Sequence, residues 1–176
     1  MTRDFILDDF IGKYPDYPKP GILYYDISPA LADASILRAL TVRMAALLKP
    51  MNPDIVVGVD ARGFLFATPI ALQLEIGTIM VRKAGKLPGA LHRAAYGLEY
   101  GEAELTLQKT PTLVGKKIAL VDDLVATGGT LAAAAELVEK AGGHVVCAVC
   151  AIELLGLGAR EKLNFPIKSI QEYEAK

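Results

Sequence analysis

At 176 residues the chain suits one domain that buries its core without disulfides or structural metals. Lys+Arg 19 against Asp+Glu 20 gives a net charge of −1, with no basic block to grip a duplex and no acidic tail, which argues against a nucleic-acid partner. The opening residues hold no apolar signal core and no apolar run reaches membrane-span length, so the expectation is a cytoplasmic protein with no membrane partner.

No repeat, low-complexity tract or linker interrupts the pattern, so residues 1–176 read as a single domain. The segment up to Lys13 reads as an amphipathic helix. Residues 36–49 place Leu37, Leu40, Met44 and Leu47 at helical spacing, and Pro50 and Pro53 stop the helix. Residues 54–58 then read as a strand, 63–74 as a helix, 78–82 as a strand, 117–121 as a strand, 131–141 as an Ala-rich helix and 144–152 as a strand. This alternation predicts an α/β fold with a central, mainly parallel sheet flanked by helices.

One stretch departs from it. Residues 103–108 alternate with period two and 94–100 do so less cleanly, with Gly101 between them, predicting an antiparallel excursion at the ligand edge that can serve as a lid over about residues 84–109. Cys147 and Cys150 have C-x-x-C spacing, but they lie in a predicted buried strand where residues three apart face opposite ways, and no second ligand pair exists. They read as core residues. The tail from Gly156 to Lys176 reads as architectural, with Leu157, Leu163 and Phe165 covering the core.

The chemistry concentrates in residues 118–130. The apolar run Ile118-Ala119-Leu120-Val121 leads into Asp122 and Asp123, and Ala126-Thr127-Gly128-Gly129-Thr130 then opens a helix. Ligands bind at the carboxyl edge of α/β sheets, and two glycines let backbone amides approach a phosphate at a helix start. Thr127 and Thr130 add hydroxyl donors, while Asp122 and Asp123 would repel the anion and so face ribose hydroxyls or Mg²⁺. The spacing fits neither a P-loop nor a dinucleotide fingerprint. An acidic turn followed by a helix cap is the bland alternative for such a cluster.

With Pro15-to-Gly21, Asp26-Ile27-Ser28-Pro29, Asp60-to-Phe66, Arg82-to-Pro88, Tyr96-to-Gly101 and Val121-to-Thr130 in this order, the sequence resembles the adenine phosphoribosyltransferase family of type I phosphoribosyltransferases. The resemblance implies that fold, with a flexible antiparallel hood and a base-recognition segment within residues 1–35. It implies transfer of the phosphoribosyl group of 5-phosphoribosyl pyrophosphate (PRPP) to adenine, giving AMP and pyrophosphate, with Mg²⁺ as cofactor and a homodimeric assembly. Mg²⁺ would bridge ribose and pyrophosphate oxygens, so Asp122 and Asp123 are the only protein groups considered for direct contact.

The same resemblance assigns the 5′-phosphate to Ala126, Thr127, Gly128, Gly129 and Thr130, the ribose to Asp122 and Asp123, and the pyrophosphate to Asp60, Ala61, Arg62, Arg82, Lys83, Lys86 and Tyr100. The Asp60–Ala61 peptide is expected to be cis. Glu99 on the hood is the implied acid/base, with Arg62 the second catalytic group, and Leu23, Tyr24 and Tyr25 recognise adenine, in part through main-chain groups. Tyr25 stands where relatives carry Lys or Arg, Ala84 where a basic residue or Pro is common, and Ala67-Thr68 where a Gly-small pair is usual. These departures bear on affinity more than on reaction type. Two other functions fit the same fold: an enzyme for a 6-oxopurine, and a non-catalytic PRPP-sensing regulator, for which no DNA-reading segment is visible.

Overall fold

The computed structural model describes residues 5–98 and 101–175. Its elements in chain order are β1 (Gly12–Pro15), β2 (Leu23–Asp26), α1 (Ser28–Ala32), α2 (Ala34–Leu48), β3 (Ile55–Val59), α3 (Gly63–Leu74), β4 (Gly77–Lys83), β5 (Leu91–Leu98), β6 (Gly101–Gln108), β7 (Lys117–Val125), α4 (Gly129–Lys140), β8 (His144–Leu155), α5 (Ala159–Lys162) and β9 (Ile167–Glu174). Seven strands form one sheet in the order β5-β6-β4-β3-β7-β8-β9, and β1 pairs with β2 apart from it. From β4 to β9 every neighbour is parallel, whereas the β5/β6 hairpin is antiparallel and joins β4 through only Arg82↔Thr106 and Lys83↔Leu105. So narrow an attachment leaves most of the hairpin to extend from the sheet as a hood.

Period-two alternation divides the apolar residues between two cores. Val57, Val59, Ile118 and Leu120 pack with Leu131, Leu137 and Val138 of α4 and with Leu105 and Leu107 of the hairpin. Val56, Ala119, Val121 and Val149 pack on the other face against Leu40 and Met44 of α2 and Phe66 and Ile70 of α3. Cys147 belongs to the second core and Cys150 to the first, and both thiols are free. Burial pushes the Cys147 thiol up to about 11, which leaves it protonated and unreactive at neutral pH.

The structure differs from the sequence reading at several points. From residue 5 to Lys13 the described segment is not an amphipathic helix: one 3-10 turn, Leu7–Phe10, leads into β1, because the four-residue spacing of Leu7 and Ile11 suits a single turn packed on the core as well as a longer helix. Strand β7 runs on to Val125, so the paired acids lie within it. The flanking β8 supplies the ladder through Asp122↔Cys150, Leu124↔Ile152 and Val125↔Glu153, which overrides the poor strand propensity of Asp. The tail forms an unforeseen strand, β9, on the β8 edge. Leu163 and Phe165 enter the core, but Leu157 is exposed.

Candidate functional site

Strands β3, β4, β7 and β8 run parallel, so their carboxyl ends meet at one edge, the usual ligand edge of an open sheet. Beyond β3 the Asp60–Ala61 peptide is cis, Arg62 caps α3, and Gly63 starts the helix. A Cβ on Gly63 would lie 2.6 Å from the Val121 carbonyl oxygen and 3.1 Å from Asp122 Oδ1. Only glycine therefore lets α3 sit directly on β7, and this contact brings Arg62 to the acids.

Arg62 Nε stands 2.7 Å from Asp123 Oδ2, and Arg62 Nη1 donates to the Tyr24 hydroxyl at 2.7 Å. Burial alone would loosen the proton of this guanidinium, but Asp123, Tyr24 and Asp122 outweigh it and raise its pKa. Asp122 is in the opposite position. Burial and then the Asp123 carboxylate push its carboxyl well above the ordinary range, although Oδ1 accepts the Asp123 amide at 2.9 Å. The adjacent acids thus differ: Asp123 has a cation in contact, and Asp122 resists ionisation.

The turn after β7 carries the residues expected to take the 5′-phosphate. Gly128 has φ +74° and caps α4, where no side chain occupies the free amides of the first turn. A Cβ at Gly128 would meet the Cα of Ala159 at 3.1 Å, so α5 backs the turn directly. From above, the hood closes on it: the carbonyl oxygen of Gly97 lies 3.8 Å and the Tyr96 ring 4.0 Å from the Cβ direction of Gly129. Thr127 is exposed and Ala126 partly so, leaving the concave face open to a ligand.

The sequence-derived pyrophosphate residues divide. Arg82 Nε stands 3.2 Å from Asp60 Oδ2, and its guanidinium lies 5.8 Å from the Phe64 ring centroid, next to the cis peptide. Lys83 ends β4 and Lys86 lies in the loop after it, both exposed at this rim. Glu99 and Tyr100 lie outside the described residues.

In the base-recognition strand, alternation separates the three expected residues. Tyr24 faces the site, holding Arg62 and meeting Tyr17 edge-on at 5.2 Å. Leu23 packs on the core, and Tyr25 is buried in it, stacked on Tyr173 at 4.4 Å. Only the main chain of Tyr25 is left to address a ligand. Sequence reading missed the Tyr24–Arg62 bond, the approach of Tyr96 to Gly129 and the support of Gly128 by Ala159. Each depends on a pairing across long sequence separation.

Known proteins share this sequence and fold. The phosphoribosyl transferase domain family matches residues 30–174. The adenine phosphoribosyltransferase of Rhodospirillum rubrum is 49% identical over 169 residues, spanning 96% of this chain and 99% of that protein, and the Rattus norvegicus enzyme is 45% identical over 93% of each. The solved adenine phosphoribosyltransferase of Thermoanaerobacter pseudethanolicus superposes with a TM-score of 0.91 at 40% identity, covering 95% of this chain and 98% of that one. That of Saccharomyces cerevisiae, complexed with adenine and an imino-altritol bisphosphate, superposes at 0.87 with 36% identity, covering 93% and 96%. The chain belongs to the phosphoribosyltransferase family, in its adenine phosphoribosyltransferase branch.

Proposed function

We infer that this chain transfers the phosphoribosyl group of PRPP to adenine, forming AMP and pyrophosphate in purine salvage. The observation that carries the reading is the Ala126–Thr130 turn at a helix start with no capping side chain, directly behind two adjacent carboxylates and within the frame shared with adenine-specific relatives.

The 5′-phosphate sits on the amides and hydroxyls of residues 126–130, and Asp122 and Asp123 accept from the ribose hydroxyls. Arg62, Arg82, Lys83 and Lys86, with the Asp60–Ala61 peptide, surround the pyrophosphate and stabilise the charge it gains as the C1′–O bond breaks. Glu99 is assigned the acid/base role, taking the proton from the attacking ring nitrogen, with Tyr100 helping to order the substrates. The hood excludes water that would hydrolyse the activated sugar. Adenine lies by Tyr24, with Leu23 and the Tyr25 main chain completing its edge, and main-chain donor and acceptor groups favour a 6-amino over a 6-oxo purine.

Mg²⁺ fits this donor set. Asp122 and Asp123 offer hard oxygens, and Asp122 is a carboxyl whose ionisation a cation would relieve. Among the described residues no three His, Cys, Asp or Glu gather around one point, so substrate oxygens and water would complete the coordination. When bound, the ion shields the charge on pyrophosphate and ribose oxygens.

We assign a homodimer, supported by the exposed stripe Leu65 and Leu72 on α3 beside exposed Met80 on β4, an apolar face that a second copy would cover. A cytoplasmic location accords with two buried free thiols and the absence, among the described residues, of a helix long and apolar enough to cross a membrane. Pyrophosphate release measured with adenine, hypoxanthine, guanine and xanthine in turn, with and without Mg²⁺, tests the assignment. Adenine alone should be turned over, and only with Mg²⁺. Preference for a 6-oxopurine overturns the substrate, and silence with all four marks a sensor.

A further inference from the structure

We propose that Arg160 is a positioning residue for the 5′-phosphate, holding α5 as the rigid back wall of the Gly128 turn. The proposal rests on the reading of residues 126–130 as the phosphate cradle.

Helix α5 is four residues long, starts after Gly158 in a left-handed conformation and has no capping side chain, so it cannot hold its own position. Its first residue, Ala159, nevertheless forms the wall behind Gly128, with only 3.1 Å between its Cα and the Cβ direction of that glycine. The next residue supplies the anchor. Arg160 Nε donates to Glu153 Oε1 at 2.7 Å and Nη2 to Glu153 Oε2 at 2.8 Å, a two-point grip on a carboxylate that is 1% exposed. Nη2 also reaches Glu172 Oε1 at 2.7 Å, and Ser169 Oγ donates to Glu153 Oε2 at 3.0 Å.

The partners are placed to serve the cradle. Glu153 stands in register with Val125, the last β7 residue before the turn, and Glu172 in register with Glu153 on β9. Arg160 therefore ties the back wall of the turn to the strand beside its entry. Arg160 holds the Glu153 carboxyl below the usual range, so the pair stays ionised throughout neutral pH. Amides that bind a phosphate must keep their positions to within about 0.5 Å, and a back wall free to slide would let Gly128 drift beyond that tolerance. Arg62 is carried by α3 and does not depend on α5 for its place.

The test is steady-state kinetics with AMP inhibition for Arg160→Ala, Arg160→Lys and Glu153→Gln, alongside thermal midpoints. KM for PRPP and the AMP inhibition constant should rise about tenfold in Arg160→Ala and less in Arg160→Lys, while kcat at saturating PRPP and KM for adenine stay within about twofold. Unchanged KM for PRPP in folded Arg160→Ala overturns the proposal. So does a uniform loss of every parameter in step with the thermal midpoint, the mark of a stability role alone. Should Arg160→Ala fail to fold, Arg160→Lys and Glu153→Gln carry the same comparison. Thr127→Glu, which places a carboxylate in the cradle, separates the two readings. If it leaves PRPP affinity intact, the cradle falls and the proposal with it; if it abolishes affinity while the Arg160 and Glu153 variants do nothing, the proposal alone falls.

Discussion

Gly63→Ala adds one methyl group at the point where α3 meets β7. The new Cβ would lie 2.6 Å from the Val121 carbonyl oxygen, below the 3.0 Å that such contacts require, and 3.2 Å from Asp122 Cα. Val121 is fully buried in a strand hydrogen-bonded on both sides, so the strand cannot yield, and the helix start must retreat by roughly 0.5 Å. Overpacking of this kind costs about 1–3 kcal/mol, equivalent to a drop in Tm of about 2–12 °C for a chain of this size. The retreat also carries Arg62, which caps this helix, away from Asp123, where Nε now stands at 2.7 Å. Misplacement on this scale should lower kcat/KM by about tenfold to a hundredfold. Circular-dichroism melting and a pyrophosphate-release assay measure the two effects, with Gly77→Ala as control, since a Cβ there meets nothing within 4 Å. A Gly63→Ala protein with wild-type Tm and kcat/KM would refute the idea that this close approach places Arg62.

Asp122→Asn should stabilise the metal-free protein at neutral pH while abolishing turnover. The folded pKa of Asp122 is raised, so its stabilising contribution is full below the unfolded value near 3.8 and is lost as pH rises through the folded value; the Tm gap between variant and wild type should open with rising pH, and a gap constant from acid to neutral pH would contradict it. Arg62→Met strands the Asp123 carboxylate, 8% exposed, beside Asp122; because Arg62 itself is 44% exposed, the loss should be about 1–3 kcal/mol rather than the larger cost of a fully buried pair, and Asp123→Asn in the same background should recover most of it in urea unfolding. Tyr25→Phe keeps the ring that stacks on Tyr173 at 4.4 Å, so KM for adenine should stay within about twofold, whereas a large rise would show that the hydroxyl reaches the base.

The parts of the fold written in periodicity were legible. Helix α3 occupies the residues its apolar spacing marks, and the hairpin announces itself by alternation around Gly101. Boundaries set by neighbours were not. Strand β7 continues through two aspartates because β8 pairs with it, and β9 exists because the β8 edge accepts it. The same division holds at the site. Gly128, Gly129 and the paired acids declare an anion turn through local chemistry, and Arg62 lies in a motif ahead of a helix. The partner of each charge belongs to the tertiary structure: Asp123 takes Arg62, Asp60 takes Arg82, and Tyr25 turns into the core while Tyr24 faces out.

These pairings explain why the site is held from two sides by different physics. On the α3 side, steric fit at Gly63 positions a cation, and that cation neutralises one of the two acids. On the α5 side, a charged clamp positions backbone amides that carry no charge of their own. Between them Asp122 remains a carboxyl that burial and Asp123 push toward the protonated state. A packed core would not keep such a group for stability, since it weakens the fold wherever it ionises. On the proposed ribose assignment its value lies in the complex, where hydroxyls would donate to the ionised form and offset what burial removes. On that assignment the free protein disfavours the ionised form of Asp122, and donor binding would favour it.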